Sequence, residues 1–283
     1  MRERQRPRCP LARRLFLQVV SIWSCRHGEN AKMSGNGRVI GVIPSRWGST
    51  RFPGKSLHPL CGKPLVQWVV EAAMRAKRLD AVLVATDDER IAEAVRSFGG
   101  TAVMTRADHP SGTDRVAEAA MPEDDDIVIN IQGDEPMIRP ELIDALAARM
   151  QEDPTWAMAT AVTPITNRRD LEARTVVKVV LDRNDAALYF SRLPIPCRRD
   201  GEADLASGLY LRHLGIYAYR GAFLKRLVKE PPCALEQTEK LEQLRALYIG
   251  GRIAVIRTEE PGVGIDTPED AVAVEEMMKR LNA

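Results

Sequence analysis

The stretch Pro44-Ser45-Arg46-Trp47-Gly48-Ser49-Thr50-Arg51-Phe52-Pro53-Gly54-Lys55 puts three cations and two glycines directly after a continuous apolar run, Val39-Ile40-Gly41-Val42-Ile43. Glycines let main-chain N–H groups approach a phosphate, while Arg and Lys neutralise it through charge-assisted hydrogen bonds. The stretch fits neither G-x-x-x-x-G-K-[ST] nor G-x-G-x-x-G, which disfavours a P-loop ATPase and a Rossmann dehydrogenase. Two acids far apart in sequence stand out as well. Asp134, within Gln132-Gly133-Asp134-Glu135-Pro136, follows another apolar run and so falls where oxygen-ligated Mg²⁺ is expected, at a strand's carboxyl edge. Asp266 lies in Gly264-Ile265-Asp266-Thr267-Pro268-Glu269-Asp270. Each acid alone has a plainer reading, Asp134 as a turn residue and Asp266 or Thr267 as a helix N-cap.

These residues need a scaffold, and the hydrophobic patterning supplies one. Val39–Ile43 reads as a strand covered on both faces. Pro64–Arg78 carries apolar residues at helical spacing, with Pro64 in the first turn. Strands over Ala81–Ala85, Thr101–Thr105 and Asp126–Gln132 alternate with helices, among them Glu89–Phe98, closed by Gly99-Gly100. That rhythm predicts an α/β fold with a mostly parallel central sheet flanked by helices, whose ligands sit at the carboxyl ends of the strands. Beyond the helix Glu141–Gln151 the pattern changes. Ala157–Ile165, Val176–Asp182, Ala187–Ser191 and Leu209–Tyr219 are strand-like with few helices between, so the second half is mixed or antiparallel. Gly221–Val228 and Leu235–Leu247 read as helices, Ile253–Arg257 as a strand and Pro268–Leu281 as a closing helix.

The 283 residues carry 41 Lys+Arg against 39 Asp+Glu, a formal charge of +2. Nine of the basic residues and two Glu lie in Met1–Arg38, which leaves the remainder, with 32 basic and 37 acidic residues, mildly acidic. A nucleic-acid-binding surface over the whole fold is not expected, and an anionic ligand must be held by a few placed cations. The apolar run Leu15–Trp23 is too short to span a bilayer, which takes roughly 20 apolar residues. Residues 1–37 read as a disordered or mis-started extension with Met33 as the start, and 38–283 as the working domain. The change of pattern divides it into halves of about 38–150 and 151–283. Cys9, Cys25, Cys61, Cys197 and Cys233 form no CxxC pair, which argues against a disulfide framework or a zinc site.

Taken in order, several motifs resemble the CMP-Kdo synthetases, the cytidylyltransferases that activate 3-deoxy-manno-octulosonate (Kdo). They are Ser49–Lys55, Val84-Ala85-Thr86-Asp87-Asp88, Met104–Arg115, Gln132–Pro136, Ala187–Arg192, Arg212–Tyr217, Leu241–Arg245 and Gly264–Asp270. The resemblance covers nearly everything from Val39 to about Met277. It implies a nucleotide-diphospho-sugar transferase-like fold with a nucleotide-binding half over about 38–150 and a sugar-binding and dimerisation half over about 151–283, a cytoplasmic homodimer serving lipopolysaccharide synthesis, and the reaction of CTP with Kdo to CMP-Kdo and pyrophosphate. It assigns Arg46, Arg51 and Lys55 to the CTP phosphates, with the Ser45–Gly48 main chain and Gln132 nearby. Ser111, Gly112, Thr113 and Arg115 fall to the cytosine, and Asp134 and Asp266 to Mg²⁺. Arg192, His213, Tyr217, Glu242 and Gln243 fall in the Kdo pocket, with Arg192 for the sugar carboxylate and His213 as hydrogen-bond donor or general base. Glu242 and Gln243 rest on the resemblance alone, because adjacent residues on a helix do not point the same way.

The sequence departs from the usual pattern at Trp47-Gly48, Phe52, Ser56, Cys197 and Arg198–Gly208. A cytidylyltransferase for 8-amino-Kdo or another ulosonic acid is the near alternative, and a non-catalytic nucleotide-binding protein on the same fold the distant one.

Overall fold

The computed structural model describes residues 37–48, 51–260 and 262–281. The reading of residues 1–37 as an extension falls, up to residue 36, outside them.

Val39–Pro44 (β1) forms because its apolar run is buried on both faces, between Ala81–Thr86 (β4) and Ile127–Asn130 (β6), each paired to it in parallel. Ala102–Met104 (β5) extends this parallel side beyond β4. Between β1 and β4 lie a small hairpin, Pro59–Leu60 (β2) and Lys63–Pro64 (β3), and the helix Leu65–Met74 (α1). Pro64 is the cap of α1, one position earlier than the sequence suggests. Asp88 caps Glu89–Ser97 (α2), Ser111 caps Gly112–Ala120 (α3), and Pro140–Glu152 (α4) has its proline at the first turn. The fourth parallel strand is shorter than its apolar run. Asp126 turns away to pair with the Arg38 side chain and accept from the Arg38 main-chain N–H.

The second half adds Met158–Pro164 (β7), a short helix Arg168–Glu172 (α5), Lys178–Leu181 (β8), Ala187–Ser191 (β9) and Leu211–Arg220 (β10). β10 runs antiparallel to β6, β7 and β8, so both halves share one nine-stranded sheet, ordered β11-β7-β10-β6-β1-β4-β5 along its main path. Ile253–Arg257 (β11) is parallel to β7 at the far edge, preceded by Gly221–Leu227 (α6). Leu235–Leu247, expected as one helix, is two: Ala234–Glu239 (α7) and Gln243–Tyr248 (α8). Lys240 breaks it with a left-handed φ of 54°. Pro268–Leu281 (α9) closes the fold.

Candidate active site

Strand order reverses at β1, because β4 and β5 lie on one side of it and β6 on the other. In a parallel α/β sheet this is where the loops leaving adjacent carboxyl ends splay apart and leave a crevice. The loop after β1 carries the cations and the loop after β6 carries Gln132-Gly133-Asp134. The two main chains pass so closely that a Cβ on Gly133 would lie 2.8 Å from the Pro44 carbonyl oxygen, which only glycine avoids.

Lys55 then gathers the two distant acids. Its Nζ donates to Asp134 Oδ2 at 2.7 Å and to the Ile265 carbonyl at 2.7 Å, and stands 3.7 Å from Asp266 Oδ1. Arg51 Nη2 reaches Asp266 Oδ1 at 3.0 Å. The Ile265 N–H donates to the Asp134 carbonyl at 2.9 Å, which ties the two loops together. Asp266 is free for this role because Thr267 caps α9: its Oγ1 accepts from the Asp270 N–H, and Asp270 accepts from the Asp266 and Thr267 N–H groups. Those bonds, the Asp266 N–H first, hold the Asp270 carboxyl below its ordinary range. Beside Asp134, burial and then the Asp134 charge push Glu135 up to about 7.

Next to the acids opens a polar cavity lined by Gln132, Thr113, Asn130, Tyr217, Tyr219, Glu242 and Gln243. A bulge in β10 between Leu214 and Tyr217 shapes it, and the Thr160 hydroxyl sits within 3.2 Å of the Leu214 and Ile216 carbonyls there. Gln132 Nε2 donates to the Gly215 carbonyl in the same bulge at 2.7 Å. The break at Lys240 resolves the difficulty over Glu242 and Gln243. Glu242 precedes the first residue of α8 and Gln243 is that residue, so both reach the cavity wall. Ser111 Oγ lies 3.1 Å from Glu242 Oε1 and Thr113 also bonds it, yet burial dominates and raises its pKa. Of the described buried side-chain atoms without a protein partner, two belong to this wall, Asn130 Oδ1 and Gln243 Nε2. Such atoms cost free energy unless a ligand or water meets them.

The Cytidylyltransferase family model matches residues 40–253. A 3-deoxy-manno-octulosonate cytidylyltransferase of Bdellovibrio bacteriovorus is 49% identical over 243 residues, 85% of this chain and 98% of that one. The protein of the same name from Syntrophobacter fumaroxidans is 52% identical over 240 residues, 84% and 95% of the two chains. The chain belongs to the 3-deoxy-manno-octulosonate cytidylyltransferase family. Among solved structures, a CMP:2-keto-3-deoxy-manno-octonic acid synthetase complexed with CTP superposes with a TM-score of 0.81 at 44% identity, covering 86% of this chain and 99% of that one. A nucleotidyl transferase from Methanothermobacter thermautotroptrophicus, at 17% identity and a TM-score of 0.56, shares the fold, covering 86% of this chain and 99% of its own.

Within this cytidylyltransferase the other expected residues fall at graded distances from the cavity. Ser45 is buried, its Oγ 2.6 Å from that of Ser56, the departure from the family's usual proline. Arg46 and Gly48 are exposed on the loop. Gly112 lines the cavity with Thr113, but Arg115 is spent inside the fold, on Thr105 Oγ1 at 2.6 Å and Asp87 Oδ2 at 2.8 Å. Arg192 is not on the cavity wall. Its guanidinium gives three N–H groups to the carbonyls of Glu239, Arg174 and Lys240, and its own carbonyl accepts from the fully buried Lys178 ammonium. Burial, then the Arg192 charge, lowers the Lys178 pKa.

His213 stands one ring behind the wall, 5.4 Å from the Tyr217 ring. Its Nε2 is 3.0 Å from Thr160 Oγ1. That hydroxyl has one proton and two carbonyls to receive it, so the imidazole supplies the proton of their contact and is assigned as the neutral Nε2–H tautomer. Burial lowers its pKa to about 3, so it stays neutral at working pH, and of the two expected roles the Nε2–H contact with Thr160 favours the hydrogen-bond donor. Below about pH 6.5 the unfolded chain takes up a proton that the folded one refuses, so His213 costs stability at about 1.4 kcal/mol per pH unit as pH falls towards 3. His213→Gln is expected to remove that increment, read as a smaller loss of unfolding free energy than wild type between pH 6.5 and 4.

Asn130 and Glu135 were not found from the sequence. Asn130 sits inside a run read only as a strand core, and Glu135 is hidden by its neighbour Asp134.

Proposed function

We propose that the protein transfers CMP from CTP to the anomeric 2-hydroxyl of Kdo, releasing pyrophosphate. The observation that carries this reading is the convergence of Asp134 and Asp266 on Lys55, at the sheet's switch point and beside a cavity with unmet polar atoms. The sugar supplies the nucleophile. Its oxygen forms a bond to the α-phosphorus while the bond to the β-phosphate bridging oxygen breaks, and the hydroxyl proton is released. The protein's task is to position both substrates in line and to stabilise charge on the phosphate oxygens.

Arg46, Arg51 and Lys55 neutralise the triphosphate, with the Ser45–Gly48 main chain and Gln132 beside it. Ser111, Gly112 and Thr113 at the start of α3 take the base, and Arg115 holds that helix to Asp87. The donor set at Asp134 and Asp266 is carboxylate oxygen, with an ammonium already seated between the two acids, so the pair suits a hard cation. Among the described residues no group of three or more His, Cys, Asp or Glu side chains is arranged to hold a metal ion. That agrees with Mg²⁺, which keeps water and phosphate in its shell. When bound there, Mg²⁺ would supply Lewis-acid stabilisation of phosphoryl charge.

Kdo, rich in hydroxyls, fits the cavity. Asn130 Oδ1 can accept and Gln243 Nε2 can donate, alongside Tyr217 and Glu242. Arg192 retains two N–H groups and a charge for the sugar carboxylate, and His213 backs Tyr217. Gln243→Ala is expected to raise the KM for Kdo about tenfold, the order of one lost buried hydrogen bond, and to leave the KM for CTP within about twofold.

A homodimer and a cytoplasmic setting where CTP is available, feeding lipopolysaccharide synthesis, complete the reading. Among the described residues no helix is long and apolar enough to cross a membrane. The test is pyrophosphate release by the full chain with Mg²⁺, offering CTP, UTP, ATP and GTP against Kdo, 8-amino-Kdo and sialic acid. Release with CTP and Kdo alone is the expected result. Release with CTP and another acid overturns the acceptor, and silence in a folded, CTP-binding protein overturns the enzyme.

A further inference from the structure

Trp47 departs from the usual family pattern, and its indole makes contacts that the catalytic assignments do not use. The Arg90 guanidinium carbon lies over the ring, 3.4 Å from its centroid. Arg90 cannot swing away freely, because Nε and Nη2 grip the Asp88 carboxylate at 2.9 and 2.6 Å, and the same carboxylate accepts the Arg90 N–H at the start of α2. A two-toothed Arg–carboxylate fork fixes the guanidinium plane over the indole face, and with the Arg90 side chain 57% exposed the contact is of the solvent-exposed kind.

The benzo edge of the same ring lies over Gly54. A Cβ there would stand 3.1 Å from Trp47 Cη2 and 3.3 Å from Cζ2, and Gly54 has a φ of +70°. The Gly54 N–H also donates to the Trp47 carbonyl at 3.3 Å. Glycine is required here twice over, by the left-handed backbone and by the ring above it. The next residue is Lys55, whose ammonium holds Asp134 and Asp266. Contacts therefore run without a break from Asp88 and Arg90 through Trp47 and Gly54 to the lysine at the acids.

We propose that Trp47 is a positioning residue, a clasp that joins the two ends of the phosphate loop and fixes them to the start of α2 so that Arg46 and Lys55 meet the nucleotide in one arrangement. The kinetic consequence rests on the assignment of this loop to the CTP phosphates. The clasp itself does not.

The test compares Trp47→Ala, Trp47→Phe, Arg90→Met and the Trp47→Ala/Arg90→Met double variant. Expected is a fall of about threefold in kcat/KM for CTP in Trp47→Ala and in Arg90→Met, the order of one exposed cation–π contact, with the KM for Kdo near wild type and both variants still unfolding cooperatively. The double variant should be no worse than Trp47→Ala, because the two side chains act as one unit. Trp47→Phe should recover part of the loss. A substrate-free readout accompanies the kinetics: trypsin cleavage after Arg51, followed by mass spectrometry, should quicken about threefold in Trp47→Ala and Arg90→Met. Unchanged CTP kinetics and cleavage in folded variants overturn the proposal, as do losses that simply add. If cleavage quickens as expected while wild type does not turn over CTP, the clasp stands and the assignment of the loop to CTP fails.

Discussion

Asp134→Asn is expected to lower kcat by about a thousandfold or more while the protein still unfolds cooperatively, and Asp266→Asn to do nearly the same. Mg²⁺, which we propose this pair holds, would contribute several kcal/mol of stabilisation to developing phosphoryl charge, and each 1.4 kcal/mol or so is a factor of ten in rate. Asparagine keeps the shape and one oxygen but loses the charge that holds a hard cation. Asp134 is the more sheltered acid, its side chain 29% exposed against 51% for Asp266, so its loss should be the larger of the two. The measurement is single-turnover pyrophosphate release at saturating CTP and Kdo, with Mg²⁺ varied. A rate within tenfold of wild type in either variant removes that residue from the metal pair.

Lys55→Met is expected to separate two effects that the aspartate variants merge. The methionine fills the same space and leaves Asp134 and Asp266 facing each other without the ammonium that lies 2.7 Å from one and 3.7 Å from the other. With only Arg51 left on Asp266, the less compensated pair should bind Mg²⁺ more tightly in the absence of nucleotide, seen as a larger metal-induced rise in Tm. Turnover should nevertheless fall by about a hundredfold or more, because the cation that would cross to the CTP phosphates is gone in both ground and transition states. Weaker Mg²⁺ binding in the variant would mean that Lys55 orients the acids rather than competing with the metal, and an unchanged rate would remove it from the phosphate site.

The cavity beside this centre explains why its polar residues have such different environments. Glu242 and Tyr217 are both driven towards their neutral forms, by burial first, and Tyr219 likewise. A wall of hydroxyl and amide groups suits a ligand that meets it through hydroxyls. The unmet Asn130 Oδ1 and Gln243 Nε2 are the clearest mark of that.

The sequence by itself determined the elements whose signals are local. The uninterrupted apolar run of β1 could only be a strand covered on both faces, the helix after Asp88 could be placed, and the glycines and cations after β1 announced an anion loop. The ordered motifs that resemble the CMP-Kdo synthetases were legible for the same reason, as short contiguous strings. Only the tertiary structure decided which distant residues meet. Asp134 and Asp266 converge because β6 and the chain entering α9 end at the same edge, a matter of strand order that no window of sequence contains. Glu242 and Gln243 share a wall because Lys240 takes a left-handed conformation, which local helix propensity does not foresee. His213 is held neutral by burial behind Tyr217, and Arg115 is drawn inward by Asp87. Protonation state and hydrogen-bond partner are set by everything packed around a group, and that packing is long-range.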